Sequence, residues 1–347
     1  MMANEPERWN RILLTRMRFI GDVVLTTPAV QAVREAFPAA EIVYLAERET
    51  STLLAHEPAL NGVIGFDFSR PALAETARVV ALLRRYRFDA AIDFFSNPRS
   101  ALLGYLSGAR IRVGLDRSAR RRLYTIRVRD DGRPKTAPEF HQQLLSAVGI
   151  SPTGHVPRLV VTAEERERAR VRIKALAGEG SPIVVLHPGG TWPAKLWPAE
   201  RFAALADLAH ERLGAAVLLS EGPRDGETVS AVVSRARGRV HRTGVVRLRE
   251  LAALLAEAGA VVSNDAGPMH MAAAVGTPTV GLFGPGQEEI WFPYARAAGH
   301  RALRKDVPCH PCHLNVCNRE GAGYMECMAR LGVEEVFGAL HEALAAR

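Results

Sequence analysis

The sequence is poor in aromatic residues and contains no long apolar run. Aromatic side chains make up 6% of the 347 residues, and no motif of stacking residues accompanies the cationic segments, which argues against nucleic-acid binding. No stretch approaches the roughly 18 uninterrupted apolar residues needed to span a bilayer, and the opening segment MMANEPERWN is polar rather than signal-like. We therefore expect a cytoplasmic protein without a signal peptide.

Lysine is also scarce. The 45 Lys and Arg residues give a formal net charge of +8, yet lysine occurs only at positions 135, 174, 195 and 305. Arginine is dense in residues 109–135, where Arg120, Arg121 and Arg122 are consecutive. This stretch is either a solvated face or a landing surface for an anionic partner, such as a phosphorylated glycolipid or membrane headgroups.

Cysteine is confined to one segment, CHPCHLNVCNREGAGYMEC. Cys309 and Cys312 are spaced so that their thiolates can share one metal ion. Cys317 and Cys327 do not repeat that spacing, and thiols of cytoplasmic proteins usually stay reduced. The segment predicts a loop with free thiols, and a structural metal cluster is the alternative.

Apolar segments bounded by turn residues alternate with helical patterns along the whole chain. A strand that alternates with a helix predicts right-handed crossovers and a parallel sheet. Predicted strands of the first half are RILLTR, EIVYLA, GVIGF, AAIDFF and RIRVGL, with helices near 23–36, 72–86 and 97–107. Those of the second half are PIVVLHP, AAVLLSEG, AVVSND and PTVGLFG, with helices near 198–213, 224–236 and 247–257.

This pattern predicts the α/β class, with two Rossmann-like domains over residues 1–165 and 175–332. A final helix over residues 333–347 is expected to pack back across one of them. In open parallel sheets, ligands bind beyond the carboxyl ends of the strands. The loops that follow the strands are therefore the candidates for a functional site.

The loop in VVSNDAGPMHMAAAVG is the clearest of these candidates. Asp265 follows an apolar run, Gly267 permits a tight turn, and Pro268 suits a first helical turn because it has no N–H group. The helix that continues through Met269 and His270 would direct its positive end toward an anion, most naturally a diphosphate. For His270 alone, a structural role is the favoured interpretation.

Two more loops of the second half carry polar groups at the same edge. The segment HPGGTWPAKLWP supplies the hydroxyl of Thr191 and the ammonium of Lys195, which can neutralise a leaving diphosphate. Glu221 ends AAVLLSEG, where its carboxylate can bind a ribose hydroxyl or is merely a loop acid. In the first half, Asp22 in RFIGDVVLTTP is either a helix N-cap or a general base.

With these loops in view, the chain resembles the family 9 glycosyltransferases, the ADP-heptose:lipopolysaccharide heptosyltransferases. The matching segments are RMRFIGDVVLTTPAVQAVREAFP, HPGGTWPAKLWP, SNDAGPMHMAAAVGTPTVGLFGPG and the cysteine-bearing segment. The chain departs from the family at Ala266, where Ser or Thr is common, and at Gly286, where Thr is common. The resemblance implies a GT-B fold with two Rossmann-like domains facing across a cleft, and an inverting direct displacement.

The resemblance also implies roles for the candidate residues. Asp22 corresponds to the catalytic base, Lys195 to a phosphate contact, Glu221 to a ribose contact, and Asp265 with the Gly267–His270 turn to the donor loop. By the same resemblance, we expect an ADP-sugar donor and no required metal or cofactor. The expected acceptor is an anionic lipopolysaccharide-core glycolipid at the cytoplasmic surface of the inner membrane. A family 9 transferase of another sugar, a GT-B sugar-nucleotide epimerase and a non-catalytic nucleotide-binding protein remain open alternatives.

Overall fold

The computed structural model describes residues 9–117 and 119–346, apart from the side chains of residues 119 and 120. Internal contacts divide the chain into two compact units between Val160 and Val161. Within the described part of the chain, no helix is long and apolar enough to cross a membrane.

The first unit alternates strands with helices and has short 3₁₀ turns at Thr52–Leu54 and Ala119–Leu123. Its elements in chain order are β1 (Arg11–Thr15), α1 (Ile20–Leu25), α2 (Thr27–Ala36), β2 (Glu41–Glu47), α3 (Arg48–Ser51), β3 (Gly62–Phe66), α4 (Ala72–Tyr86), β4 (Ala90–Asp93), α5 (Pro98–Leu106), β5 (Ile111–Leu115), β6 (Ile126–Val128) and α6 (Ala137–Ser146).

The six strands of this unit form one parallel sheet in the order β3-β2-β1-β4-β5-β6. Helices cover both faces of such a sheet, so its central strands are apolar along their whole length. Strand β1 shows this, because every residue from Ile12 to Thr15 is buried. Strands β2 and β3 are added on one side of β1, and β4 to β6 on the other side. This change of side between β1 and β4 is the topological switch point, and the carboxyl ends of these two strands are the expected ligand position.

The second unit repeats this plan and has 3₁₀ turns at Pro193–Lys195, Arg296–Ala298 and Gly321–Gly323. Its elements are α7 (Ala163–Ala177), β7 (Ile183–His187), α8 (Ala199–Leu213), β8 (Ala216–Glu221), α9 (Gly226–Val233), β9 (Val240–Val245), α10 (Leu248–Glu257), β10 (Ala260–Asn264), α11 (Gly267–Ala274), β11 (Thr279–Leu282), α12 (Glu288–Trp291), β12 (Arg301–Leu303), α13 (Glu326–Ala329) and α14 (Val333–Ala345).

The second sheet is also parallel, in the order β12-β11-β10-β7-β8-β9. Counted from its own first strand, this is the same order as in the first unit. The prediction of two Rossmann-like α/β units is therefore confirmed. The corresponding switch point lies between β7 and β10.

Three edge strands and four helices, namely α3, α6, α12 and α13, were missing from the sequence prediction. Strands β6, β9 and β12 are short or largely polar, and helix α6 follows a run of charged residues. The helix predicted at 23–36 is two helices, because α1 ends at Leu25 and α2 starts again with a proline in its first turn. The final helix α14 packs through Val336 and Leu340 into the core of the second unit.

Candidate active site

Lys195 and Asp265 meet at the switch point of the second unit. Lys195 ends the short turn after β7, and Asp265 directly follows β10, the neighbouring strand. Lys195 Nζ lies 2.6 Å from Asp265 Oδ2, and the two side chains are 18% and 6% exposed. The ammonium also lies 4.4 Å from the centre of the Trp192 ring. The lysine charge is thus held in place by a carboxylate and an aromatic face.

A buried asparagine ties the two loops together. Asn264 Nδ2 donates to the carbonyl oxygens of Pro188 at 2.8 Å and Gly189 at 3.2 Å. Its Oδ1 accepts the backbone N–H of Trp197 at 3.1 Å. Sequence reasoning missed this role, although an amide at the end of the apolar strand AVVSN was the available signal.

The N-terminus of α11 lies next to this ion pair in the chain. Ala266 caps the helix without a side-chain hydrogen bond, and Pro268 occupies its first turn. No capping side chain therefore competes with an anion for the N–H groups there. Gly267 is simply the first helical residue, so the turn predicted at this glycine is the start of the helix itself.

Gly286, the last residue of the FGPG loop, brings a third segment against the Lys195–Asp265 pair. A Cβ built on Gly286 would lie 2.8 Å from Asp265 Oδ2 and 4.0 Å from Lys195 Nζ. A side chain at this position would have to displace the Asp265 carboxylate. The structure therefore places Lys195, Asp265 and Gly286 in one cluster.

His270 contacts a partly buried tyrosine. His270 Nδ1 lies 3.1 Å from the hydroxyl of Tyr294, and the Met269 side chain beside it is fully buried. Burial raises the pKa of Tyr294, so its hydroxyl stays protonated across the physiological range. The hydroxyl is therefore available as a donor to His270.

In the described part of the second unit, Glu221 and Thr191 are two candidates that are not bonded to the Lys195–Asp265 pair. The Glu221 carboxylate pairs with Arg242, with Oε2 2.6 Å from Nη2 and Oε1 3.3 Å from Nε. Thr191 is exposed. Among the described residues, neither one makes a hydrogen bond or ion pair with Lys195 or Asp265. Arg242 was not foreseen, because strand β9 was not predicted.

Asp225 was also missed, and it joins the loops after β7 and β8. It accepts the N–H groups of Gly222 at 2.7 Å and Gly190 at 3.4 Å. A Cβ on Gly189 would lie 2.2 Å from Asp225 Cγ, so only glycine fits there. His187 is buried nearby, and burial lowers its pKa, which keeps it neutral.

Asp22 lies at the switch point of the first unit. It is the third residue of α1, whose N-cap is Phe19, so it is not itself the N-cap. Its Oδ2 accepts the N–H of Phe19 at 3.2 Å, and its Oδ1 pairs with Arg16 Nη2. Arg16 in turn donates from Nη1 to the carbonyl oxygen of Phe94, 3.2 Å away in the loop after β4.

The model of glycosyltransferase family 9 (heptosyltransferase) matches residues 76–322, which is most of the chain. The chain belongs to glycosyltransferase family 9. This agrees with the two sheets and with the site at the strand ends, and it confirms the predicted family.

Two known relatives match this chain over most of their own length and most of its length. Lipopolysaccharide heptosyltransferase 1 of Pseudomonas aeruginosa is 29% identical over 320 residues, 88% of this chain and 87% of the relative. Lipopolysaccharide heptosyltransferase 3 of Escherichia coli is 28% identical over 293 residues, 80% of this chain and 85% of the relative. Both proteins are named as transferases of heptose.

Solved structures share the fold over nearly the full length. The family 9 glycosyltransferase of Veillonella parvula superposes with a TM-score of 0.85 at 24% identity, covering 100% of both chains. The ADP-heptose lipopolysaccharide heptosyltransferase II of E. coli gives 0.81 at 23% identity, covering 96% of this chain and 98% of that one.

Within the arginine-rich stretch of this family 9 chain, Arg121 and Arg122 are exposed. Arg121 and Arg122 lie on a 3₁₀ turn, while the side chain of Arg120 lies outside the described residues. Arg121 Nη1 lies 3.5 Å from Asp116 Oδ1. The Arg121 side chain is nevertheless 54% exposed, so it remains largely solvated. Nothing in this geometry assigns a partner.

The cysteine-bearing segment packs on the loops that follow β7 and β11. Cys309, Cys312, Cys317 and Cys327 are free and partly buried. The described residues contain no group of three or more His, Cys, Asp or Glu side chains arranged to hold a metal ion. Backbone bonds of 3.0 Å join His313 to Pro285 and Ala194 to Asn315. The segment therefore braces the loops that carry Lys195 and Gly286.

Proposed function

We propose that this chain transfers a heptose from ADP-heptose to the inner core of lipopolysaccharide, with inversion at the anomeric carbon. Family membership and the names of the relatives support transfer over epimerisation or mere nucleotide binding. The observation that carries the proposal is the cluster of Lys195 and Asp265 beside the N-terminus of α11.

In this proposal, the second unit binds the donor. The diphosphate lies at the N-terminus of α11, where helical N–H groups and the Lys195 ammonium stabilise the charge that develops on the leaving group. Glu221 binds the ribose while it stays paired with Arg242. A carboxylate has about four lone-pair sites, and the two guanidinium contacts occupy only two of them.

The first unit binds the acceptor and supplies the base. Asp22 removes the proton from the acceptor hydroxyl, and that oxygen forms the new bond to the anomeric carbon. The bond from the anomeric carbon to the diphosphate oxygen breaks, and ADP leaves with the electron pair. We propose that no metal or cofactor takes part, because Lys195 and α11 supply the positive charge. Turnover that persists unchanged in a chelator would support this point.

We further propose that the protein binds the acceptor at the cytoplasmic face of the inner membrane, through the consecutive arginines at 120–122. Exposed charges are screened over roughly 8–10 Å at physiological ionic strength. Replacing all three arginines should raise the acceptor KM and flatten its dependence on salt. Replacement of three exposed arginines of the second unit, Arg168, Arg170 and Arg235, provides the charge-matched control. Equal effects of both sets would refute the surface.

The decisive experiment is turnover of a panel of ADP- and UDP-sugars with defined lipopolysaccharide-core acceptors. We expect ADP release and a heptosylated product only when ADP-heptose and the acceptor are both present. Conversion of a nucleotide-sugar without acceptor would indicate an epimerase. Preference for another sugar would change the donor, and the absence of ADP release would leave a binding protein.

A further inference from the structure

Arg16 connects the two strands that meet at the switch point of the first unit. It directly follows β1, and its guanidinium reaches the loop after β4. Nη1 donates to the Phe94 carbonyl oxygen at 3.2 Å, and Cζ lies 4.4 Å from the centre of the Phe95 ring. Nη2 pairs with Asp22 Oδ1, and the two side chains are only 12% and 13% exposed.

The loop that holds Arg16 is itself fixed by a buried carboxylate. Asp93 ends β4 and accepts the N–H groups of Phe95 and Ser96, each at 2.9 Å. Its other oxygen accepts the hydroxyl of Tyr124 at 2.7 Å. Because Asp93 is buried and bonded on both oxygens, the Phe95 ring and the neighbouring carbonyl have a defined position.

Both oxygens of Asp22 are engaged by donors from its own unit. Arg16 binds Oδ1 and the Phe19 N–H binds Oδ2. Each oxygen has two lone pairs, so one on each remains for another partner. The two donors fix the plane of the carboxylate and hence the direction of those lone pairs. Proton transfer requires such alignment within hydrogen-bond reach.

The other contacts of Arg16 matter once Asp22 has taken a proton. An arginine held only by that carboxylate would then face a neutral group and would lose its main partner. Arg16 retains the carbonyl of Phe94 and the face of Phe95, which favour the cation whatever the state of Asp22. Its position therefore does not depend on the charge that changes during the reaction.

From these contacts we propose that Arg16 is a positioning residue that acts through Asp22 and is needed for the chemical step. The inference rests on the proposed role of Asp22 as base. Arg16→Met should lower kcat by roughly 10²-fold, the scale of a small misplacement of a reacting group. The KM values of donor and acceptor should change by less than about threefold, since Arg16 is directed at Asp22 and the loop after β4.

The control is Arg11→Met, at the other end of the same strand. Arg11 lies 3.7 Å from Glu41, and both side chains are about half exposed, so this variant should keep native kinetics. If Arg16→Met does not fold, Arg16→Gln retains an N–H donor and replaces it. A native kcat in either folded Arg16 variant would overturn the proposal.

A double-variant test separates positioning from general damage. Asp22→Asn should lower kcat by about 10²–10⁴-fold, and adding Arg16→Met to it should cost less than about threefold more. Guanidinium ion at millimolar concentration should restore part of the activity of Arg16→Met but none in the double variant. Independent, multiplying losses would show that Arg16 does not act through Asp22.

The same variants distinguish a failure of the proposed role of Asp22 from a failure of the proposed role of Arg16. A fully active Asp22→Asn variant would remove the base from the proposed function, and the role of Arg16 with it. An inactive Asp22→Asn variant alongside a fully active Arg16→Met variant would overturn the role of Arg16 alone.

Discussion

At the scale of single residues, Lys195 carries the strongest expectation for the donor. In the proposed function, Lys195→Ala removes the ammonium that would neutralise the diphosphate, and a charge-assisted hydrogen bond contributes about 1.5–3 kcal/mol. We expect kcat/KM for the donor to fall by a matching factor, measured by ADP release. Binding of ADP to the variant, followed by calorimetry, should weaken in parallel.

This substitution also leaves Asp265 without its cation, and a buried carboxylate that loses its partner destabilises the fold. The thermal unfolding of Lys195→Ala must therefore be measured alongside its kinetics. Lys174→Ala is the matched control, because Lys174 pairs with Glu179 on the exposed side of the second unit. Native donor kinetics in folded Lys195→Ala would exclude this lysine from the site.

At the scale of elements, the junction between the β7 and β8 loops is closely packed. Gly189→Ala would place a methyl group about 2.2 Å from the Asp225 carboxylate carbon, so one of the two loops must move. Overpacking of this kind costs about 1–3 kcal/mol. We expect a lower unfolding midpoint in denaturant together with a raised donor KM.

Gly226 provides the comparison, since a Cβ there meets nothing within 4 Å and the residue opens α9. Gly226→Ala should unfold at the native midpoint or slightly above it. Equal midpoints for the two alanine variants would mean that Asp225 does not hold the β7 loop.

The elements also show how far sequence patterns reach. Helix α4 was predicted over its exact span, because its apolar residues follow the helical period between clear breakers. Strand β9, VHRTGV, was missed because an edge strand with one solvated face has no continuous apolar run. The candidate loops were found because they directly follow strongly apolar strands.

Sequence patterns could not predict the hydrogen-bond and ion-pair partners of the site residues. Asp225 accepts a hydrogen bond from Gly190, 35 residues away in the sequence, and Arg242 pairs with Glu221, 21 residues away. Nothing local in the sequence marks these pairings. The pairing of Arg16 with Asp22 is closer in sequence. Its alignment depends on Phe94, which only the strand order of the sheet brings near.

At the scale of the whole molecule, each unit contains a buried histidine that resists protonation. Burial lowers the pKa of His141 in the first unit to about 4, and that of His300 in the second unit also to about 4. The ordinary value is 6.5, so between pH 6.5 and 4 the unfolded chain binds more protons than the folded one. Stability should therefore be complete above pH 6.5 and fall as the pH is lowered toward 4.

For His141, which is buried, the loss amounts to on the order of 3 kcal/mol. The measurement is the free energy of unfolding in urea at a series of pH values for the native chain and His141→Gln. The variant should be less stable at pH 7 but should lose less stability on acidification. A parallel decline of both proteins would show that His141 is not the titrating group.

The ion pair between Lys195 and Asp265 has a further consequence for product release. In the proposed function, the carboxylate 2.6 Å from the ammonium would compete with ADP for the same cation. When the sugar has left, Asp265 can reclaim Lys195 and so speed the departure of the nucleotide. Asp265→Asn removes this competitor, and we expect slower ADP dissociation in stopped-flow measurements and stronger inhibition by accumulated ADP. Faster dissociation would instead make Asp265 a direct ligand of the nucleotide, and the enzyme would then depend on it for holding ADP rather than for letting it go.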